Sequence, residues 1–131
     1  EGNFDGNLSV GASGEFQTFR ATTSTSDDTL TTIASVPVAG DAGVAIHAIF
    51  TGNEAASANK NKYVLEAMFY RNGAGDVTLL GDIVSVDTNE ADAVWNATLA
   101  ANTGTQSVDV LVSGEAGTTV AWKCFGYYTN G

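Results

Sequence analysis

The segment KYVLEAMFYRNGAGDVTLL, residues 62–80, indicates the fold class of this 131-residue chain. Residues 62–71 carry apolar or aromatic side chains at both parities, so we expect a core on one side and a partner or a loop on the other. Asn72 and Gly73 then supply the positive φ that a tight hairpin turn requires, and residues 77–80 return as a second strand. The segment predicts an antiparallel hairpin.

Short strands separated by Gly, Asn and Asp continue along the rest of the chain. They are predicted at residues 8–10, 16–22, 29–38, 44–50, 83–86, 93–100, 108–112 and 118–128. Gly81 interrupts the pattern before residue 83, which predicts a β-bulge. Many short strands of this spacing are typical of an antiparallel β-sandwich, and eight strands suit a jelly roll. We therefore expect an all-β, jelly-roll-like sandwich over residues 23–131, preceded by a short, Gly-rich, fibre-like arm over residues 1–22.

Strand parity predicts which large side chains face the core. Trp95 shares its parity with Ala97 and Leu99, and Trp122 shares its parity with Val120, so both rings are expected to be buried. Cys124 shares the parity of Trp122, so we expect a buried, inert thiol. Leu30 shares the parity of the apolar residues in its strand, and Pro37 near the end of that strand predicts a sheet edge.

Composition and charge exclude several classes of protein. A hydrophobic content of 44% is too high for wholesale disorder, and no apolar run is long enough to insert into a membrane. The chain has fifteen acidic and five basic residues, for a net charge of −10, and the basic residues are scattered along the sequence. Nucleic-acid binding needs clustered Lys and Arg, so this charge argues against nucleic acid as a partner. The chain starts at Glu1 without a signal peptide or initiator Met, so we expect a fragment or cleavage product of a longer protein.

The sequence offers no recognisable catalytic arrangement. His47 is the only histidine, no Gly-x-Ser-x-Gly motif supplies a nucleophile, and no spacing singles out a carboxylate pair. One Cys and one His are too few for zinc, and no phosphate-binding loop is present. We therefore expect no enzymatic activity, no catalytic residues and no cofactor or metal. Residues 87–92 are predicted to be a loop with three carboxylates, which leaves bound calcium open as the alternative to a solvated acidic loop.

Two groups of residues are candidates for contacts with other molecules. Aromatic residues of outward parity and polar residues of loops 52–62, 71–76 and 87–92 form a candidate binding surface, and we single out Tyr70, Asn72, Asp87, Asn89 and Tyr127. Contacts within an oligomer would explain the outward aromatic residues equally well. The Gly-rich arm cannot bury its own apolar residues Phe4, Leu8 and Val10, so we expect these to be oligomer contacts in a homotrimer.

Three stretches of the C-terminal half carry a resemblance to a known family. They are DVTLLG at residues 76–81, AVWNA at 93–97 and VDVLVSGEAGTTVAW at 108–122. In this order and spacing they resemble a segment that recurs at the C-terminal ends of bacteriophage tail-fibre and related virion proteins. The tract GNLSVG at residues 6–11 looks like the shaft repeats of phage fibres, whereas CFGYY at 124–128 is more aromatic than the family's ending.

The resemblance implies a virion structural protein, usually trimeric, with no catalytic residues to carry over. The function expected is that of a distal tail-fibre domain, which contacts other virion proteins and binds a glycan or protein of the host surface. The alternatives are a capsid decoration protein and a carbohydrate-binding module of a secreted cellular protein. The position of the arm would distinguish the three functions. In a fibre it would be buried by the arms of identical chains, and in a decoration protein it would lie on other capsid subunits. In a cellular module it would be a loose linker.

Overall fold

The computed structural model describes residues 16–131, which form eight β-strands. The strands are β1 (Phe16–Thr25), β2 (Thr31–Pro37), β3 (Gly43–Asn53), β4 (Lys60–Tyr70), β5 (Thr78–Glu90), β6 (Asn96–Asn102), β7 (Ser107–Ser113) and β8 (Val120–Asn130). The predicted strand at residues 8–10 and the candidate oligomer contacts Phe4, Leu8 and Val10 lie outside the described residues. Within residues 16–131, no helix has the length and apolar character needed to cross a membrane.

The strands form two antiparallel sheets around one core. The five-stranded sheet has the order β1-β8-β3-β4-β5, and the three-stranded sheet has the order β2-β7-β6. β1 pairs with β8 and β2 with β7, a nested pairing of early with late strands that is typical of a jelly roll. β3, β4 and β5 follow one another as a meander. The prediction of an all-β, jelly-roll-like sandwich is confirmed.

Residues of inward parity fill the space between the sheets. Trp95 and Trp122 are each 1% exposed, and their rings meet edge to face with centroids 6.0 Å apart. The Nε1 of Trp122 donates a hydrogen bond of 3.1 Å to the Oγ1 of Thr25, so the polar atom of this buried ring is satisfied. The strand parity predicted for both tryptophans is confirmed.

The region around Gly81 differs from the prediction. β5 is one strand from Thr78 to Glu90, although two short strands and an acidic loop at residues 87–92 were expected. Gly81 has a φ of +75°, which a residue without a side chain adopts at low cost, and the register with β4 shifts at two places nearby. The bulge is confirmed, but the chain continues as a strand after it because β4 is long enough to pair with the extension.

β2 corrects a second detail of the sequence analysis. Pro37 ends this strand at an edge of the three-stranded sheet, as predicted. Leu30, however, precedes the strand and is exposed. The register with β7 shifts between Thr32 and Ala34, so the parity of the buried valines does not extend back to Leu30.

β1 determines where the sandwich begins in the described chain. Residues 16–22, which were expected to belong to the arm, lie in β1 and pair along its length with β8. They are therefore part of the five-stranded sheet. The proposed arm is reduced to the residues that precede Phe16.

Cys124 is buried and free, and burial raises the pKa of its thiol to about 12. At about pH 8 a thiol with such a pKa is a thiolate in roughly one molecule in ten thousand, and only the thiolate attacks disulfide reagents. We expect the folded protein to react with Ellman's reagent at a negligible rate and the same protein in guanidinium chloride to release one equivalent of product. Fast labelling of the folded protein would contradict the buried position of Cys124.

Candidate functional site

The outward face of the five-stranded sheet consists of the side chains that point away from the three-stranded sheet. Alternation along β8 places Phe125 and Tyr127 on this face, where they are 41% and 37% exposed. Exposed aromatic rings on a flat, rigid strand are a common means of binding another molecule. One row crosses the whole sheet at the level of Tyr127; it consists of Thr18, Tyr127, His47, Glu66 and Val84.

A three-residue cluster lies at the centre of this row. The rings of His47 and Tyr127 are stacked, with centroids 4.8 Å apart and an angle of 12° between their planes. The Nδ1 of His47 is 2.7 Å from the Oε2 of Glu66 on the opposite side. The ring of Phe16 lies 5.4 Å from that of Tyr127 and supports it from β1. Because the three members come from the adjacent strands β8, β3 and β4, the sheet holds the cluster in place.

The cluster borders an open depression of about 440 Å³, which we call the histidine depression. Tyr127, His47 and Glu66 line it on the side of β8, β3 and β4, and Asp82 and Leu80 line it on the side of β5. An aromatic ring beside acidic and imidazole groups can stack on a sugar ring and accept or donate hydrogen bonds to its hydroxyls. The size is within the range of about 300–1,000 Å³ that is common for ligand sites.

The five predicted surface residues do not form one site. Tyr127 belongs to the cluster, whereas Tyr70 ends β4 and the exposed Asn72 lies in the turn that follows. Asp87 and Asn89 lie on β5, at the other edge of the same sheet from β1. Asp87 is ion-paired with Lys62 at 2.6 Å, and this contact lowers the pKa of its carboxyl group.

The three loops that were expected to carry binding lie at two ends of the sandwich. Residues 52–62 and 87–92 are at one end, because Asn61 pairs with Glu90, and residues 71–76 are at the other end. Among residues 16–131, no group of three or more His, Cys, Asp or Glu side chains is placed to hold a metal ion. The acidic residues of the first end have protein partners instead: Glu90 accepts a hydrogen bond of 2.6 Å from Tyr63.

Sequence reasoning missed the pairing of His47 with Glu66. The two residues lie 19 positions apart on strands joined by one hairpin, and each has the parity that faces outward. Their pairing follows once the register of β3 and β4 is known, but that register depends on the length of the connection between them. The sequence identifies His47 as the only histidine, but its partner Glu66 can be named only once this register is known.

No protein-family model matches the chain, and no curated protein matches it. Solved structures that resemble it are phage tailspike proteins. One is the tailspike protein gp49 of the Acinetobacter baumannii bacteriophage Fri1, described as a capsular polysaccharide depolymerase, with 15% identity, a TM-score of 0.48 and 87% of this chain covered. Another is the tailspike of A. baumannii phage AM24, with 11% identity, a TM-score of 0.40 and 88% of this chain covered. The chain spans 19% and 26% of these two proteins.

The comparison contradicts the prediction that this protein is not an enzyme. The structures found are tailspikes, and the first is named as a depolymerase. The prediction was made because no spacing in the sequence singles out a carboxylate pair, whereas the fold places His47 against Glu66 and puts Asp82 along the same depression. An imidazole and carboxylates that share an open depression are the groups that general acid–base chemistry uses.

Proposed function

We propose that this chain is a β-sandwich domain of a bacteriophage tail protein that binds polysaccharide of the host surface on the outward face of its five-stranded sheet. It would be part of the virion. The resemblance of residues 76–122 to tail-fibre proteins supports the class. A homotrimer, assembled through Phe4, Leu8 and Val10, remains part of the proposal, and a monomer by native mass measurement would contradict that part.

The observation that carries the proposal is the stacking of Tyr127 on His47, whose imidazole is hydrogen-bonded to the carboxylate of Glu66. Polysaccharide binding needs a flat apolar surface for the sugar face and fixed polar groups for the hydroxyls. The histidine depression offers both, on strands that cannot shift relative to one another. Tyr127 is therefore the residue of the predicted binding surface to which we assign the main contact.

Replacement of Tyr127 by Ala tests this assignment. An aromatic residue at the centre of a binding site is typically worth about 2 kcal/mol or more, so we expect Tyr127→Ala to weaken adsorption to host cells at least about tenfold. Stability should change little, since the ring is partly exposed. The measurement is binding of the purified protein to cells and to isolated surface polysaccharide, with thermal unfolding recorded for each variant.

The matched control is Val94→Ala, which truncates an exposed apolar side chain outside strands β1–β8. It should leave adsorption unchanged. Equal adsorption of Tyr127→Ala and the unaltered protein would remove the depression from the proposal. Failure of the unaltered protein to adsorb to any host cell would overturn the proposal and favour a decoration protein.

Cleavage of the bound polysaccharide is a second candidate function. It is favoured by the presence of Glu66 and Asp82 along one depression, because glycoside hydrolysis uses two carboxyl groups. The same binding samples serve as the assay, through the release of reducing ends. Release that persists in Glu66→Gln would exclude the His47–Glu66 pair as its source.

A further inference from the structure

The positive charges of this acidic chain are gathered on one surface. Four of its five basic residues have outward positions on the five-stranded sheet, namely Arg20, Lys60, Lys62 and Lys123. The outward positions of the neighbouring strands β1, β8 and β3 hold no carboxylate at all. Within residues 16–131, the outward positions of these three strands therefore carry the cations Arg20 and Lys123 and no acidic side chain.

A second open depression, of about 510 Å³, lies in this region, and we call it the cationic depression. Arg20, Lys123 and Phe125 line it. Phe125 lies directly across from Arg20 in the pairing of β1 with β8 and is two residues from Lys123 on β8. The guanidinium carbon of Arg20 is 5.9 Å from the centre of that ring. Thr22 and Thr51 add hydroxyl groups at the level of Lys123, on the two strands that flank β8.

The neighbouring half of the face differs in charge. Its acidic residues, Glu66, Asp82 and Asp87, belong to β4 and β5. Glu66 is bonded to His47, and Asp87 is neutralised by Lys62. Lys123 has no ion-pair partner among residues 16–131, so its charge is available to a ligand.

We infer that the cationic depression binds the carboxylate groups of an acidic polysaccharide, with Lys123 as the charged contact and Phe125 as the aromatic surface beside it. This inference rests on the proposed function and narrows its ligand class to uronic or other acidic sugars. Exposed cations beside an aromatic ring suit a polymer in which charged groups alternate with apolar sugar faces. A neutral polysaccharide would gain nothing from the clustering of charge.

The test compares an acidic polysaccharide with its carboxyl-reduced, uncharged form. Bacterial capsular polysaccharides, acidic and neutral, are screened for binding by the unaltered protein, and each acidic binder is then chemically reduced at its carboxyl groups. We expect binding to acidic polymers only, with loss on reduction and weakening as salt is raised, because exposed charges are screened. Lys123→Gln should weaken binding by about fivefold, a typical effect of one exposed charge contact.

Two variants separate the local contact from overall charge. Lys123→Arg keeps the cation and should retain binding. Thr103→Glu, in the exposed turn between β6 and β7, lowers the net charge by the same amount as Lys123→Gln and should have no effect. Equal binding of the native and carboxyl-reduced polymers, or an unchanged Lys123→Gln variant, would overturn this inference and leave the proposed function standing. If no polysaccharide binds, the proposed function itself is overturned.

Discussion

Replacement of Trp122 by Ala is expected to lower the free energy of unfolding by about 3–5 kcal/mol, the range for removal of a large aromatic side chain from a core. The ring is 1% exposed, packs edge to face on Trp95, and lies 6.2 Å from the ring of Tyr63. A Cβ on Gly52 would come within 2.9 Å of the same ring, so the neighbouring strand β3 is already in close contact with it. The cavity cannot close by a small shift, because β8 is hydrogen-bonded on both sides.

Denaturant unfolding measures this loss, and Phe125→Ala is the matched control. Phe125 is an aromatic residue of the same strand, three positions along, and its side chain points outward. Its removal should cost less than about 1 kcal/mol, since an exposed ring loses little contact with the core. A loss below about 1 kcal/mol for Trp122→Ala would mean that the sheets do not pack through this ring.

Replacement of Asn61 by Ala is expected to lower the free energy of unfolding by about 3 kcal/mol, since several buried hydrogen bonds at about 1 kcal/mol each are lost together. The amide of Asn61 is buried. Its Oδ1 accepts hydrogen bonds from the backbone N–H groups of Ala91 (2.8 Å) and Asp92 (3.1 Å). Its Nδ2 donates to the hydroxyl of Tyr63 at 2.9 Å and to the carbonyl of Asp92 at 2.6 Å. This one side chain therefore holds the chain segment that leaves β5.

Two further variants distinguish lost hydrogen bonds from a general effect of substitution. Asn96→Ala removes an exposed amide from β6 and should leave stability nearly unchanged. Asn61→Asp cannot donate to the Asp92 carbonyl while ionised, and burial beside Glu90 and Asp92 raises the pKa of the new carboxyl above its unfolded value. The unfolded state then binds fewer protons, so the deficit of Asn61→Asp should shrink as pH falls. A deficit that is independent of pH would contradict the role assigned to the Nδ2 donor.

Strand parity is the part of the fold that the sequence predicted best. Val108, Val110 and Val112 are fully buried as their alternation indicated, and Phe125 and Tyr127 point away from the core. The turn at Asn72 and Gly73 also lies where the dipeptide placed it, with a φ of +55° at Gly73. These features are local, because a side-chain period of two and a turn's backbone angles depend on neighbouring residues only.

The candidate site was predicted in part. Tyr127 was recognised as an outward aromatic residue, but His47 and Glu66, which lie beside it, were not included in the candidate binding surface. Asp87 was placed in a loop, although it lies on a strand and is paired with Lys62. Each error concerns which strand lies beside which, and in what register, rather than which way a side chain points along its own strand.

The sequence by itself therefore determined the all-β class, the two faces of β7 and β8 and the hairpin turn. Only the tertiary structure decided the order β1-β8-β3, which brings Arg20 next to Phe125 and Lys123 next to Thr51. It also decided the register that joins His47 to Glu66 and the continuation of β5 past Gly81. The physical reason is that any strand of suitable length can satisfy another's backbone hydrogen bonds, so the choice of neighbour depends on packing of the whole core, which no single segment contains.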